Sequence, residues 1–274
     1  MREKIIEIGN ISYSYLCEKC VSKKRLDFQF NDRYEFIYIL SGSGKCHIEG
    51  VGYDFKDNTL IVLPPLTYYY FEFEDDSPLE RYLLRFRADD VSTDARDYLE
   101  LFDVPHCDSA YYVAYEVENA EMIKLINRFK EKVDLPEAEK TRYFSFLLSQ
   151  IILYTSPYKK ERFYRNESEL PARVIRYLSA YATKNLSLEQ LSKYFFVSKY
   201  HLCRTFKEYN GISIHGYINR KRALYAKKLI ESGETAQDAA YHVGYNDYSA
   251  FYRAYIKVVG RPPKLKGGDE EDEL

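Results

Sequence analysis

The chain has 274 residues, 46% of them hydrophobic, and 40 Lys and Arg against 42 Asp and Glu leave it a net charge of −2. That length fits one large or two ordinary domains. It holds no run of about eighteen uncharged apolar residues, so no membrane-spanning helix is expected. Met1-Arg-Glu-Lys-Ile-Ile-Glu7 is too charged for a secretory signal, and five scattered cysteines (17, 20, 46, 107 and 203) fit reduced thiols in a cytoplasmic chain rather than a disulfide framework.

Residues 5–87 read as β. Tyr34–Leu40 is a strand ended by Ser41-Gly-Ser-Gly44, read as a hairpin turn, with Lys45–Glu49 returning and a further turn at Gly50-Val-Gly52. Thr59–Leu63 is a buried strand stopped by Pro64-Pro65, and Tyr68–Phe73 and Leu79–Phe86 are two more. Short strands at near-regular spacing predict a small sandwich or barrel. From about 92 the period becomes helical. Met122, Ile123, Leu125, Ile126, Phe129 and Val133 form one stripe, and Phe144, Leu147, Leu148, Ile151 and Ile152 form a second beyond Leu135-Pro136. These two helices either cap the β-domain or form a dimer interface. Polar, aperiodic residues from 156 read as a linker, and Pro171 stands near the first position of a helix running to about Thr183.

One pattern then occurs twice. Leu188–Ser198 followed by Lys199–Lys207, and Thr235–Asp247 followed by Tyr248–Tyr255, are each a short helix, a tight turn, an N-capping Ser or Asp and a second short helix. That is a helix-turn-helix, the unit that places its second helix in the DNA major groove. Leu202 and Phe206, and Phe251 and Tyr255, fall four apart and point to the core. Lys199, Tyr200, Cys203, Arg204 and Lys207 fall on the outer side of the first recognition helix, and Tyr248, Ser249, Tyr252 and Arg253 on that of the second. Arg204 has the fork that pairs with guanine O6 and N7. Tyr200 meets a thymine methyl or a phosphate, and Lys199 and Lys207 meet phosphates, which position without specifying.

Ser213–Glu231 between the two units reads as one helix of about 28 Å. That suits two recognition helices about one DNA turn, roughly 34 Å, apart. Its Arg220-Lys221-Arg222 and Lys227-Lys228 are expected along the DNA backbone. Charge agrees with a polyanion partner for this part alone. Residues 171–266 hold 17 Lys and Arg against 6 Asp and Glu, a net of +11, whereas residues 1–170 hold 23 against 31, a net of −8.

The stretch 171–265 resembles the DNA-binding domain of the AraC/XylS family of bacterial transcription regulators. Ser187–Ser192, Val197-Ser198, Leu202-Cys-Arg-Thr-Phe-Lys207, Gly211-Ile-Ser213, Tyr217–Ala223, Ala226–Ile230, Val243-Gly-Tyr245 and Phe251–Tyr255 carry the match. The resemblance implies a homodimeric regulator of double-stranded promoter DNA that recruits or blocks RNA polymerase. It implies base reading at Tyr200, Cys203 and Arg204 and at Tyr248, Ser249, Tyr252 and Arg253. The sequence departs from the family pattern at Cys203, where a longer polar residue is common, at Tyr255-Ile256 in place of Phe-Lys, at Gly260-Arg-Pro-Pro263, and in its acidic tail.

Tyr34-Glu35, Tyr38–Gly42 and Leu60–Pro65 resemble the cupin-like ligand-binding domain common in that family. Metal-bearing cupins surround their ion with three His and a Glu. Here Gln29 and Asn31 stand near the first two His positions, Glu35 remains, and Tyr68 or Tyr69 falls near the last, so no metal, no cofactor and no enzyme chemistry are expected. A pocket bearing Arg33, Glu35, Tyr38 and Tyr68 would suit a polyhydroxylated effector such as a sugar. Cys17-x-x-Cys20 with Cys46-His47 is a conceivable zinc set, against the plainer reading of unrelated thiols. The competing function is a metal-dependent cupin enzyme fused to a DNA-binding domain. The expectation is a two-domain α+β chain. A cupin-like β-barrel or sandwich with following helices occupies 1–155, a linker 156–170, an all-α tandem helix-turn-helix 171–266, and an acidic tail 267–274.

Overall fold

The computed structural model describes residues 2–18, 29–73, 76–100, 112–114, 119–131, 134–155 and 169–263. The linker at 156–168, the acidic tail, Cys20, Cys107 and Val133 lie outside the described residues. Two compact units emerge, one from residues within 1–29 and 33–166 and the other from residues within 30–32 and 167–274.

The first unit is an antiparallel β-sandwich covered by helices. Its strands are β1 (Arg2–Ile8), β2 (Ile11–Glu18), β3 (Gln29–Phe30), β4 (Tyr34–Ser41), β5 (Gly44–Ile48), β6 (Val51–Phe55), β7 (Leu60–Leu63), β8 (Tyr68–Phe73), β9 (Leu79–Phe86) and β10 (Tyr112–Ala114). They form a six-stranded sheet in the order β1-β2-β9-β4-β7-β10 and a four-stranded sheet in the order β3-β8-β5-β6. The central strands β4, β7 and β9 of the larger sheet are buried on both faces, which is why Tyr34–Leu40 and Thr59–Leu63 read as largely apolar runs. Ile37, Ile39, Ile61, Leu63, Leu79 and Leu83 pack inward against Cys46, Ile48, Tyr69 and Phe71 of the smaller sheet. Successive residues on a strand point to opposite faces. Tyr34, Phe36, Tyr38, Leu60, Val62, Tyr82 and Leu84 therefore face the other way, onto α2 (Asn119–Glu131) and α3 (Glu137–Thr155). Met122, Phe129, Phe144, Leu148 and Ile151 close that layer at 2% exposure or less. The apolar stripes of both helices cover the sheet. Phe146 and Leu153, on another side of α3, stay 60% and 40% exposed.

Two expected turns differ. Ser41–Gly44 is not a hairpin: β4 and β5 belong to different sheets, and the segment crosses between them. Gly44 (φ 155°) makes the crossing possible, because a Cβ there would stand 2.3 Å from the Glu72 carbonyl oxygen. The true hairpin joins β5 to β6 through Glu49 (φ 47°) and Gly50 (φ 84°), the doubly left-handed turn that matches strand twist. Val51 and Gly52 already belong to β6. A short helix, α1 (Thr93–Glu100), also packs on α3 and was not anticipated from the sequence.

The second unit is all α: α4 (Leu170–Tyr181), α5 (Leu188–Tyr194), α6 (Lys199–Asn210), α7 (Ile214–Glu231), α8 (Ala236–His242) and α9 (Tyr248–Val259). Pro171 occupies the first turn of α4, where its missing N–H costs nothing. Helix α6 packs on α4 and α5 and α9 packs on α7 and α8. Leu202 and Phe206 fill the first core, and Phe251 and Tyr255 the second, all at 3% exposure or less. Ala223, Ala226, Ala239 and Ala240 line the contact of α7 with α8, where small side chains let the helices approach closely.

Candidate functional site

The two recognition helices start where their caps start them. Ser198 Oγ accepts from His201 N at 3.2 Å, and the Asp247 carboxylate accepts from Ser249 N and Ala250 N at 3.1 and 2.9 Å. Each satisfies N–H groups that a helix N-terminus otherwise leaves open. At the other end, Gly211 and Gly260 take the left-handed conformation that ends a helix. Capping and core packing together fix which face of each helix is turned out.

On α6 that outward face carries Lys199, Tyr200, Arg204 and Lys207, all exposed, with Tyr200 at 75%, while Cys203 is half-buried. Two of these side chains have acidic partners. Arg204 Nε donates to Glu208 Oε1 at 2.8 Å, and Lys199 Nζ lies 2.5 Å from Glu189 Oε1. The bond to Glu208 raises the Arg204 pKa, and the bond to Lys199 lowers that of Glu189. Glu208 is four residues beyond Arg204, so helical spacing made that pair legible. Both pairs are exposed, and such pairs yield readily to a stronger partner.

On α9, Ser249, Tyr252 and Arg253 are exposed. Tyr248 differs from expectation. It is half-buried, its ring 5.6 Å from Phe251 and 6.3 Å from Tyr252, so it belongs to the edge of the second core. It is the first residue of the helix, and from there its ring folds back over Phe251.

Helix α7 presents only part of its basic run to solvent: Lys228 is exposed and Arg220 half-buried, but Arg222, Lys221 and Lys227 are engaged within the protein. Arg222 points into the unit: Nε donates to Ala182 O (2.7 Å), Nη2 to Lys184 O (2.7 Å) and Nη1 to Gly244 O (2.9 Å). Its guanidinium lies 5.4 Å from the Tyr245 ring centroid, and burial lowers its pKa. Lys221 is hydrogen-bonded to Ser179, and Lys227 is half-buried beside Glu231 at 3.8 Å. The buried residues Ile214, Ile218 and Ala226 explain Arg222. Position 222 falls on the same four-residue repeat, one turn after Ile218.

Arg33, Glu35, Tyr38 and Tyr68 do not converge on one pocket. Arg33 donates to Asn10 O at 3.0 Å, and the Tyr38 hydroxyl donates to Asn58 Oδ1 at 2.9 Å on the helix-facing side of β4. Tyr68 is one residue out of phase with the inward-facing Tyr69 and Phe71. Strand alternation turns Tyr38 and Tyr68 away from Glu35, and Arg33 precedes β4 with its side chain on Asn10. Glu35 alone lies between the sheets. Register sets it opposite Arg85, and Arg85 Nε donates to Glu35 Oε1 at 2.6 Å. Burial works against the Arg85 charge, but Glu35 and the Tyr69 hydroxyl overcome it and its pKa rises. Two residues along β9, Arg81 Nη2 donates to Glu18 Oε2 at 2.8 Å, while its buried Nε and Nη1 have no protein acceptor. Arg81 also lies over the Phe71 ring at 4.8 Å. The sandwich interior thus holds two arginines, two carboxylates and Tyr69 among apolar walls, a set able to donate to and accept from a small polar molecule.

Among the described residues no group of three or more His, Cys, Asp or Glu stands close enough to hold a metal. Cys46 points into the sandwich and is completely buried, while its neighbour His47 takes the opposite face of β5 and stacks on Tyr70 at 4.5 Å. No described helix is long and apolar enough to cross a membrane.

Two family models match the chain: an AraC-like ligand binding domain over residues 13–155 and a helix-turn-helix domain over residues 191–265. The HTH-type transcriptional regulator YbfI of Bacillus subtilis is 33% identical over 110 residues, which are 40% of this chain and 40% of that one. Regulatory protein PocR of Salmonella typhimurium is 27% identical over 108 residues, 34% of this chain and 36% of that one. The matched stretch thus spans less than half the length of either relative. A solved structure of apo ToxT from Vibrio cholerae is similar with a TM-score of 0.42 at 15% identity, covering 92% of this chain and 95% of that one. A ligand-binding model spanning just over half of the chain, followed by a helix-turn-helix model over the two capped units, shows that the chain belongs to the AraC family of transcription regulators.

Proposed function

We propose that the chain is a one-component transcription regulator that couples a small-molecule signal to sequence-specific binding of promoter DNA. The observation that carries this reading is the pair of capped recognition helices, α6 and α9, in a segment of net charge +11. Arg204, Tyr200 and Cys203 read bases in one major groove, and Ser249, Tyr252 and Arg253 read the next, with Tyr248 bracing the helix that carries them. Lys199 and Lys207 hold phosphates, a term that supplies affinity without specifying sequence.

The effector, of the polyhydroxylated class that a sugar represents, sits between the sheets on Glu35, Arg85, Tyr69 and Arg81. Arg33, Tyr38 and Tyr68 act outside that interior. Effector binding biases the populations of DNA-competent and incompetent states. A homodimer forms through the face of α3 that carries Phe146 and Leu153, and RNA polymerase is the downstream partner. The chain itself performs no catalytic step. Residues 1–155 sense, 156–170 link and 171–266 read.

The test is binding of the purified full chain to its own promoter and to random duplex of equal length at moderate salt. Preference for the promoter supports the reading, and equal affinity ends it. A thermal-shift screen of the same chain against sugars, organic acids and divalent metals tests the sensor. A shift with a sugar supports the effector class, whereas a shift with a metal alone overturns it.

A further inference from the structure

Arg222 is used up inside the molecule in a way that joins the two reading units. Ala182 and Lys184 follow α4 and lead into α5, so they belong to the first helix-turn-helix. Gly244 is the corner between α8 and α9, so it belongs to the second. Arg222, on α7 between them, donates to all three carbonyls over 2.7–2.9 Å. Ala182 is the C-cap residue of α4 and Lys184 lies just beyond it, so both bonds hold the connection from α4 into α5. Gly244 closes the same seam: at φ 94° a Cβ there would stand 2.4 Å from Thr183 O and 3.1 Å from Arg222 Nη2. A planar fork donating in three directions fixes both distance and angle, which a single point charge does not.

We propose that Arg222 is a positioning residue that locks the two helix-turn-helix units in fixed phase, so that the chain selects DNA by the spacing of its two half-sites as well as by their bases. This rests on the DNA reading above. Linked binding modules gain on the order of a hundredfold or more from simultaneous engagement, and lose it when geometry forbids both contacts. A rigid seam makes that loss steep with spacing. A loosened one lets the units adjust and flattens it.

The experiment uses the full chain and duplexes selected from a random pool by the wild-type protein, with the spacer between half-sites then lengthened in single base pairs through half a helical turn. Wild-type affinity is expected to fall on the order of a hundredfold at the out-of-phase spacer. In Arg222→Met and Arg222→Lys the in-phase affinity is expected to drop and the out-of-phase penalty to shrink below about tenfold. A purely structural role lowers the folded fraction and scales every duplex equally, leaving the ratio between spacers unchanged. Should Arg222→Met fail to fold, Arg222→Lys, which keeps the charge and removes the fork, carries the comparison. An unchanged ratio in Arg222→Lys would sink this inference alone. A wild-type chain that prefers no duplex at all would sink the DNA reading and this inference with it.

Discussion

Arg204, proposed above to read a base, stands ready at the surface. It is exposed on α6 and bonded to Glu208, so engaging a base means exchanging one exposed partner for another. Arg204→Ala is expected to cost roughly ten- to a hundredfold in affinity at one position of one half-site, with little change on random duplex, as read by competition binding. A uniform loss across all sequences would mark Arg204 as a phosphate contact instead. Phe196 raises a different point. It sits at the corner between α5 and α6 with φ 56° and 94% of its surface exposed. A left-handed backbone costs a non-glycine residue roughly 1–2 kcal/mol, while glycine costs about 0.5–1 kcal/mol in chain entropy. Phe196→Gly is therefore expected to raise the melting temperature, and a fall would show that the ring contributes more than its exposure implies.

The helices are where sequence and structure agree best, because their signals are local. Ser198 and Asp247 were recognisable as caps from their place before an amphipathic run, and both accept the expected N–H groups. Ser198→Ala is expected to cost about 1 kcal/mol in denaturant unfolding, mostly by leaving N–H groups of α6 open. An unchanged midpoint would mean that packing of Leu202 and Phe206 holds the helix start by itself. The strands were legible in position but not always in partnership. Glycines at 42 and 44 signal a turn, yet no local feature says whether the chain folds back beside β4 or crosses to the other sheet. Strand β6 is hard to see in Val51-Gly-Tyr-Asp-Phe55, although it alternates apolar and small or polar residues, because Gly52 also fits a turn begun at Gly50. In β9 alternation does not choose a face, since Leu79 and Leu83 lie on one side and Tyr82, Leu84 and Phe86 on the other. Arg81 and Arg85 were therefore not assignable to the interior.

At the scale of the molecule, the buried tyrosines are expected to set an alkaline limit. Burial raises Tyr13 and Tyr69 well above the ordinary value of 10.0, pushes Tyr38 up to about 12, and raises Cys46 above 9.0. Each folded value lies above its unfolded one, so the folded chain binds more protons there. That contribution is complete below about pH 9 and is lost as pH rises through the folded values, at up to about 1.4 kcal/mol per pH unit for each group. Melting temperatures measured from pH 8 to 11 are expected to be level and then to fall. A level profile to pH 11 would show that these rings ionise without unfolding. The charge split makes a second expectation. Promoter affinity should fall linearly on a log scale with salt, and Lys207→Ala should reduce that slope by about one. An unaltered slope would remove Lys207 from the phosphate contacts.

The tandem units, their caps, their core pairs and the β-then-α order were determined by the sequence itself, because each rests on residues within one or two turns of helix or one strand. The tertiary structure alone decided three things. It placed Arg222 on carbonyls up to 40 residues away, where a run of three basic residues suggests contact with the DNA backbone. It parted Tyr38 and Tyr68 from Glu35, because which face of a strand is interior depends on the sheet laid against it. It set Arg85 across from Glu35, 50 residues earlier in the chain. Periodicity states which residues share a face, and only the packing of distant segments states what that face meets.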